Sequence, residues 1–361
     1  MDLELFLEML GVDSTSGKEA GLAGFLAERF LESGCTVEKY EVGDGTVNLL
    51  FSWGRPEIVF CSHLDTVPPY IPPTLDEEEG VIRGRGSCDA KGQIFAMYEA
   101  CKVLKTKGYE GFGLLLLAGE ETGSFGAKAF REQHPGAEWV IVGEPTDNCM
   151  ASASKGTKSF EVTFGGKAFH SGYPQYGVSA VEMFNDFVNA LRSIGFPHDA
   201  ILGDTTWNIG KLVSDNPQNI LSDRLTCRVY FRTTFESDEM VCNVMRNMAG
   251  ENARLRFGRR RVQDGSDMVG KDVALWQKMM SVKEFGGDTP TRYETLEGFD
   301  VKPVAFGSDA PQLTNFRRKI LCGPGSILVA HRPEEHIALA DLETAKENYV
   351  RMYETLVTTK A

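Results

Sequence analysis

The chain has 361 residues, of which 42% are hydrophobic and 25% are charged, and its formal net charge is −13. This length predicts two domains, or one large α/β domain that carries an insertion. The acidic balance argues against a nucleic-acid partner, since non-specific nucleic-acid binding requires a basic face.

Strands and helices alternate through the first part of the chain. Residues 18–33 have helical spacing, and "EIVFCS" is typical of a short buried strand. Alternating strands and helices predict a mostly parallel sheet covered by helices on both faces. The predicted helices are 18–33, 90–107 and 124–134, and the predicted strands are 57–62, 112–118 and 139–143.

The pattern changes near residue 155. "KSFEVTFGG" alternates apolar and polar residues, as a half-exposed antiparallel strand does. The order of the segments that follow is β-α-β-β-α-β, which predicts a ferredoxin-like α+β sheet with helices on one face. The predicted strands are 158–166, 205–213, 224–234 and 253–258, and the predicted helices are 178–194 and 237–249.

The α/β pattern returns near residue 266. The basic segment "GRRRVQDG" (258–265) is typical of an exit linker. We therefore predict an α/β domain of residues 1–154 and 266–361, interrupted by an inserted α+β domain of residues 155–265. The elements predicted in the last part are helices over 271–284 and 341–358 and strands near 302–306 and 319–321.

The N-terminus and the cysteines bear on location. The sequence "MDLELFLEML" has no basic region before its apolar residues and no small-residue cleavage site, so we expect no signal peptide. No run of about 18 apolar residues occurs, so we expect no membrane-spanning helix. The eight cysteines form no C-x-x-C pair, and we interpret them as reduced thiols of a cytoplasmic protein.

Three predicted strands are each followed by metal-ligating residue types. His63 and Asp65 follow the first strand, Glu120 and Glu121 follow the second, and Glu144 follows the third. Because ligands bind at the carboxyl ends of the strands in a parallel sheet, we expect these side chains to meet in one crevice.

Two further segments carry candidate ligands, and each candidate also has a structural interpretation. Asp89, in "GRGSCDAKG", directly precedes a helix, and "GPGSILVAHRPEEHI" contains His331 and His336. Asp89 could cap that helix, Glu144 could be a turn residue, His63 could be a core histidine, and the glutamate pair could lie on a solvated loop. A single site satisfies all of them better, because buried carboxylates are costly unless paired or metal-bound.

The residue types indicate which metal such a site would bind. Imidazoles and carboxylates without thiolates suit Zn²⁺, and less specifically Co²⁺ or Mn²⁺. Two histidines and three carboxylates suffice for two metals that share one carboxylate, an arrangement that activates water for hydrolysis. One carboxylate then remains as a general base.

Six segments, in order, resemble the motifs of the M20 metallopeptidases. They are "SHLDTVP", "GRGSCDAKG", "AGEETGSFGA", "VGEPT", "FHSGYP" and "GPGSILVAHRPEEHI". That family includes acetylornithine deacetylase, succinyl-diaminopimelate desuccinylase, carboxypeptidase G2 and aminoacylase. The resemblance implies a zinc exopeptidase-like catalytic domain with an inserted lid or dimerisation domain.

The resemblance also implies the metal ligands. His63 and Glu144 would bind the first zinc, Glu121 and His331 the second, and Asp89 would bridge the two. His331 is preferred to His336 because it begins an H-x-x-E sequence that ends at Glu334.

Two catalytic roles beside the metals are implied in the same way. Asp65 would hydrogen-bond the imidazole of His63 and orient it. Glu120 would be the general base, which takes a proton from a metal-bridging water and later passes it to the leaving nitrogen.

The resemblance places four kinds of substrate contact. His170 would stabilise the oxyanion, often from the partner subunit, and Asn219 would lie near the substrate. Arg232 would bind a carboxylate, with a structural role as the alternative. The amides of Gly323 and Gly325 would also face a substrate carboxylate.

The leading hypothesis is hydrolysis of a small N-acylated amino acid by an acetylornithine deacetylase-like enzyme. The alternative is an exopeptidase of the same family, either carboxypeptidase G2-like or a dipeptidase. A non-catalytic binding homologue is disfavoured, because neither Glu120 nor any ligand is lost. Some members of the family dimerise through the inserted domain and others are monomers, and the sequence does not choose between them.

Overall fold

The computed structural model describes residues 1–43, 45–249 and 280–358. The chain forms two compact units. The first comprises Met1–Ala153, Arg292–Val304 and Ser308–Ala361, and the second comprises Ser154–Thr291 and Ala305–Gly307. The second unit therefore begins beside the predicted start at residue 155, but it continues well beyond the predicted end at residue 265.

The described residues of both units form helices and strands with the following bounds. The helices are α1 (Leu3–Gly11), α2 (Ala20–Arg29), α3 (Lys91–Thr106), α4 (Phe125–Gln133), α5 (Ala180–Arg192), α6 (Asp238–Ala249) and α7 (Leu339–Thr358). The strands are β1 (Thr36–Gly43), β2 (Thr46–Trp53), β3 (Ile58–His63), β4 (Thr74–Asp76), β5 (Val81–Arg83), β6 (Phe112–Leu117), β7 (Trp139–Val142), β8 (Met150–Ser154), β9 (Gly156–Gly165), β10 (Thr206–Val213), β11 (Arg224–Thr233), β12 (Met280–Gly286), β13 (Thr291–Arg292), β14 (Val301–Val304), β15 (Arg318–Leu321) and β16 (His336–Ala338).

The main sheet of the first unit has six strands in the order β1-β2-β6-β3-β7-β15. Strands β6, β3, β7 and β15 are parallel neighbours, whereas β2 joins β6 and β1 in antiparallel fashion. Helix α3 packs against β3, β6 and α7, and α4 packs against β1 and β2. The predicted mostly parallel α/β sheet is confirmed, with a hairpin added at one edge.

The central strands are buried because their sequences are continuously apolar. All six residues of β3 and all six of β6 are buried. Strands of this kind need cover on both faces, so the run "FGLLLL" anchors the segment that follows it inside the unit. Polar residues can then be held at a fixed position where each strand ends.

Within the described residues, the second unit has a four-stranded antiparallel sheet in the order β10-β11-β9-β12. Helices α5 and α6 pack against it, and the two helices and the sheet share an apolar cluster. Burial alternates along β9 as the apolar-polar pattern predicts.

The predicted helix over 271–284 is wrong from Met280 onward. Residues Met280–Gly286 form β12, in which Met280 pairs with Phe164 and Val282 with Val162 of β9. The tertiary pairing overrides the local helical spacing, and it also explains why the second unit extends past residue 265. The predicted strand at 253–258 and the linker at 258–265 lie outside the described residues.

All eight cysteines carry free thiols, and seven of them are buried. Burial raises the pKa of the Cys61 thiol, inside β3, well above its usual value. A thiol in this environment is an unreactive packing residue rather than a nucleophile. Among the described helices, none combines the length and the apolar character needed to cross a bilayer.

Candidate metal centre

The ends of three parallel strands meet at one edge of the main sheet. His63 is the last residue of β3, Glu120 and Glu121 follow β6, and Glu144 follows β7. Because β3 lies between β6 and β7 in parallel pairing, these ends are adjacent. Asp89 lies just before α3 and is 5% exposed.

Two groups of ligand atoms share Asp89. The first is His63, Asp89 and Glu144, and the second is Asp89, Glu121 and His331; within each group the ligand atoms lie within 4.8 Å of one another. Asp89 Oδ1 is 3.0 Å from His63 Nε2, and Asp89 Oδ2 is 3.2 Å from His331 Nε2. Each oxygen of Asp89 therefore faces one imidazole, as a carboxylate between two cations would.

The five predicted ligands are the members of these two groups. Glu120 lies beside them, since His63, Glu120 and Glu121 form a third group on the same distance criterion. His336 belongs to none of these groups; it lies on β16, and its Nδ1 is 2.8 Å from the carbonyl oxygen of Glu334. The structure therefore brings His331, and not His336, together with the other predicted ligands.

The charge of the site suits divalent cations. Burial raises the pKa of Glu120 and of Glu144 well above the usual value, and the neighbouring carboxylate Asp89 raises both further. Several carboxylates crowded in a buried crevice repel one another and lose their hydration, which is costly without a compensating charge. Two divalent cations held by imidazole and carboxylate groups would supply that charge.

The two imidazoles bind protons strongly when no metal is present. Burial alone would lower the pKa of His63, but its hydrogen bonds with Asp65 and Asp89 raise that pKa well above its usual value. Hydrogen bonds with Asp89 and Glu121 raise the pKa of His331 to about 10. A metal must displace these protons to bind.

Metal binding should therefore release protons and strengthen as pH rises. We expect at least about two protons per chain at pH 7, one from each imidazole, when both metals enter the metal-free protein. Both pKa values lie above their usual range, so the dependence should persist above pH 7. Calorimetric titrations in buffers of different ionisation enthalpy measure this release, and a release near zero would contradict the protonation states inferred for His63 and His331.

Asp65 holds the glutamate pair as well as the imidazole. His63 Nδ1 donates to the backbone oxygen of Asp65 at 2.9 Å and lies 3.5 Å from its Oδ1. The carboxylate of Asp65 accepts the backbone N–H of Glu120 at 3.0 Å and that of Glu121 at 3.2 Å. The hydroxyl of Ser16 donates to the same carboxylate at 2.9 Å. Asp65 thus connects the segment after β3 to the segment after β6.

The turn that presents the glutamates depends on Gly119. Its φ is +67°, and a Cβ built there would lie 1.8 Å from the ring of Phe125. The buried side chain of Asn48 fixes the same turn, because it accepts the N–H of Ala118 at 3.0 Å and donates to the carbonyl of Gly126 at 2.9 Å. Sequence reasoning missed Asn48, whose signal is an amide side chain inside a mostly apolar strand.

His331 has a rarely occupied backbone conformation. Its φ is +64°, in the left-handed region that non-glycine residues seldom adopt, and its side chain remains 48% exposed. Such conformations occur where the surrounding structure holds a functional side chain in place. His331 is also the most exposed of the five predicted metal ligands.

The predicted substrate residues His170, Asn219 and Arg232 lie in the second unit. His170 and Asn219 are exposed and occupy adjoining segments, since the N–H of Ser171 donates to the carbonyl of Asn219 at 2.9 Å. Arg232 is on β11, with its guanidinium carbon 5.1 Å from the ring centre of Tyr230. These three residues keep their predicted roles as proposals.

Close packing requires glycine at both Gly323 and Gly325 of "GPG". The N–H of Gly323 donates to the Thr146 hydroxyl at 2.9 Å, so this amide is engaged within the protein and does not face a substrate as predicted. A Cβ on Gly323 would lie 2.5 Å from the carbonyl oxygen of Glu144, and one on Gly325 would lie 2.6 Å from the Cys88 sulfur. Both glycines let their segment approach the ligand-bearing loops closely.

Two buried acidic residues near the centre were missed from the sequence. Asp309 is 2% exposed, and its charge adds to burial in raising the pKa of Glu120 and Glu144. Glu335 is 1% exposed. In the sequence, Asp309 is an acidic residue inside a mostly apolar segment. Glu335 directly follows Glu334, the glutamate that the H-x-x-E pattern had singled out.

A mostly parallel sheet that gathers two imidazoles and two glutamates around a shared aspartate, with a further glutamate beside them, defines a metal-dependent hydrolase. Residues 59–355 match the description "Peptidase family M20/M25/M40". The chain belongs to this peptidase family, so the family and the enzyme class predicted from the motifs are confirmed.

Relatives and solved structures extend this match over nearly the whole chain. A probable carboxypeptidase of Aspergillus niger is 31% identical, over 98% of this chain and 89% of the relative. A tripeptidase from Staphylococcus aureus has a TM-score of 0.77 at 21% identity, covering 97% of this chain and 96% of that one. An M20 family metallo-carboxypeptidase from Sulfolobus solfataricus has a TM-score of 0.72 at 16% identity, covering 97% and 98%. At these identities the two solved structures show a shared fold alone, and the name of the Aspergillus niger relative is that of a peptidase rather than a deacetylase.

Proposed function

We propose that the protein is a two-metal exopeptidase that removes a terminal residue from short peptides. The observation that carries this proposal is the carboxylate of Asp89, whose two oxygens face His63 and His331. The peptide substrate class is supported by the carboxypeptidase name of the Aspergillus niger relative. An acetylornithine deacetylase would use the same centre, so the difference lies in substrate recognition.

The proton-transfer chemistry falls to Glu120. Divalent cations at the two groups would polarise the scissile carbonyl and lower the pKa of a water molecule to about 7. Burial raises the pKa of Glu120, which makes its carboxylate a stronger base, and its backbone is fixed on Asp65. Glu120 would accept the proton of the attacking water and deliver it to the leaving nitrogen.

Zinc is the metal that we propose. Two imidazoles and three carboxylates, with no thiolate, form a donor set common at catalytic zinc sites. The high share of carboxylates also admits Co²⁺ and Mn²⁺, which bind oxygen donors readily. Metal analysis of the purified protein distinguishes these ions.

Residues of the second unit would recognise the substrate. We propose that His170 stabilises the oxyanion and that Asn219, on the adjoining segment, lies near the peptide. Arg232 would bind the peptide carboxylate, for which a planar guanidinium offers two parallel hydrogen bonds. In the first unit, the amide of Gly325 is proposed to face a substrate carboxylate.

Assembly and location are further parts of the proposal. Among the strands that the structure describes, β10 lies at the edge of its sheet and exposes Leu212 by 53% and Val213 by 57%, which supports a homodimer formed through the second unit. The eight free cysteines support a reducing, cytoplasmic location.

A small substrate panel tests the exopeptidase proposal. We expect a dipeptide with free termini to be cleaved at least about 10²-fold more efficiently than its C-terminal amide, because the amide lacks the carboxylate that a charged pocket binds. The kcat/KM values of the dipeptide, its amide, its N-acetyl form and N-acetylornithine provide the comparison, with Glu120→Gln as the blank. Faster hydrolysis of N-acetylornithine than of any peptide would favour the deacetylase hypothesis instead.

A further inference from the structure

The side chain of Glu335 is fully buried beside the loop that carries Asp89. Its Oε1 accepts three backbone N–H groups, from Gly86 at 2.9 Å, Cys88 at 3.1 Å and Asp89 at 3.1 Å. Three amides directed at one oxygen form a site for a negative charge and fix the backbone that supplies them. The loop therefore cannot move Asp89 without breaking contacts to Glu335.

The other oxygen of Glu335 pairs with Arg85, which is 2% exposed. Arg85 Nη1 also donates to the carbonyl of Arg332 at 3.3 Å, directly after His331. The N–H of Gly84 in turn donates to the backbone oxygen of Glu335 at 3.0 Å. Several hydrogen bonds around the Arg85–Glu335 pair thus join residues 84–89 to residues 332–335.

These contacts connect two ligands of the same group. Asp89 is held through its own N–H, and His331 lies four residues before Glu335 on the opposite segment. Strand β16, which starts at His336, pairs with β5 just before the Asp89 loop. The distance of 3.2 Å between Asp89 Oδ2 and His331 Nε2 is therefore set by segments joined at Glu335.

The neighbouring Glu334 has none of these contacts with the Asp89 loop. Its side chain is 68% exposed and lies 3.6 Å from the Nε atom of Arg332. The two adjacent glutamates therefore have the same charge and different environments. Glu334 is the natural control for any effect assigned to Glu335.

We propose that Glu335 is a positioning residue that fixes Asp89 relative to His331 and thereby sets the affinity for the metal bound by Asp89, Glu121 and His331. This inference rests on the two-metal site of the proposed function. Groups that orient metal ligands through hydrogen bonds typically contribute 10–100-fold in metal affinity. A metal held by His63, Asp89 and Glu144 would have only Asp89 in common with these contacts. We therefore expect the affinity for that metal to fall less.

A purely stabilising role for the buried Arg85–Glu335 pair makes a different prediction. Loss of a buried ion pair destabilises the fold whether or not metal is present. A positioning role lowers the affinity for one metal more than for the other. The two roles are therefore separated by measuring metal affinity and metal-free stability on the same variants.

The test compares Glu335→Gln with Glu334→Gln. Zinc affinities are measured by competition with a chromophoric chelator, and the thermal midpoint of each metal-free protein is recorded. In Glu335→Gln, we expect one of the two zinc-binding steps to weaken about 10–100-fold and the other to weaken less. In Glu334→Gln, both steps should match the wild type.

A second variant covers the case in which Glu335→Gln does not fold. Arg85→Lys retains the carboxylate and its three N–H contacts, but lysine lacks the fork needed to reach both Glu335 and the Arg332 carbonyl. We expect the same zinc-binding step to weaken by a smaller factor. Two zinc ions bound with unchanged affinities in either variant would overturn the inference alone, whereas a wild type that binds no zinc would overturn the proposed function with it.

Discussion

Replacing Glu120 with glutamine is expected to lower kcat on a cleaved dipeptide by about 10²–10⁴-fold while both metals remain bound. Glutamine keeps the size of the side chain but accepts no proton from water. Neither of the two groups that share Asp89 includes Glu120, so metal binding should persist. Steady-state kinetics and metal analysis of the same preparation check both parts of this expectation.

The adjacent residue provides the control for Glu120. Glu121 belongs to the group with Asp89 and His331, and its Oε1 is 2.8 Å from His331 Nε2. Glu121→Gln should therefore weaken binding of one metal, whereas Glu120→Gln should not. A Glu120→Gln enzyme with two metals and wild-type kcat would disprove the assignment of Glu120 as the base.

Replacing Asp89 with alanine is expected to weaken the binding of both metals. Asp89 is the only residue common to the two groups, and it faces His63 and His331 through different oxygens. Loss of a group that only orients a metal ligand lowers metal affinity by up to about 100-fold. Asp89→Ala removes a ligand of both metals, so the affinity for each metal should fall by at least that factor. Competitive zinc titration and dipeptide hydrolysis measure the two losses.

Glu144→Gln is the matched variant for Asp89→Ala. Glu144 is equally buried, but it belongs to the first group alone. Glu144→Gln should therefore weaken one zinc-binding step and leave the other near its wild-type affinity. Retention of one tight zinc in Asp89→Ala, as in Glu144→Gln, would show that Asp89 serves a single metal.

Most of the centre could be predicted because its ligands follow strands with strong sequence patterns. The apolar runs of β3 and β6 predict buried strands, and the ends of parallel strands share one edge of the sheet. His63, Glu121 and Glu144 could be placed together on that argument alone. The strand argument does not extend to Asp89 and His331, whose segments lie outside those strands, and the family resemblance supplied their roles.

The remaining features depend on contacts between distant parts of the chain. Local spacing did not reveal β12, because its pairing with β9 outweighs the helical pattern around Met280. The H-x-x-E pattern pointed to Glu334, whereas burial against residues 86–89 distinguishes Glu335. Nothing local indicated that Gly323 donates to Thr146.

Stepwise zinc reconstitution of the metal-free enzyme tests the shared-carboxylate centre most directly. Hydrolysis of the best dipeptide of the panel is measured as zinc is added, with bound metal counted in parallel. We predict negligible turnover without metal and full activity at about two zinc ions per chain, as expected for a two-metal hydrolase. Full hydrolysis by a chain stripped of metal in excess chelator would contradict the proposed centre and its chemistry.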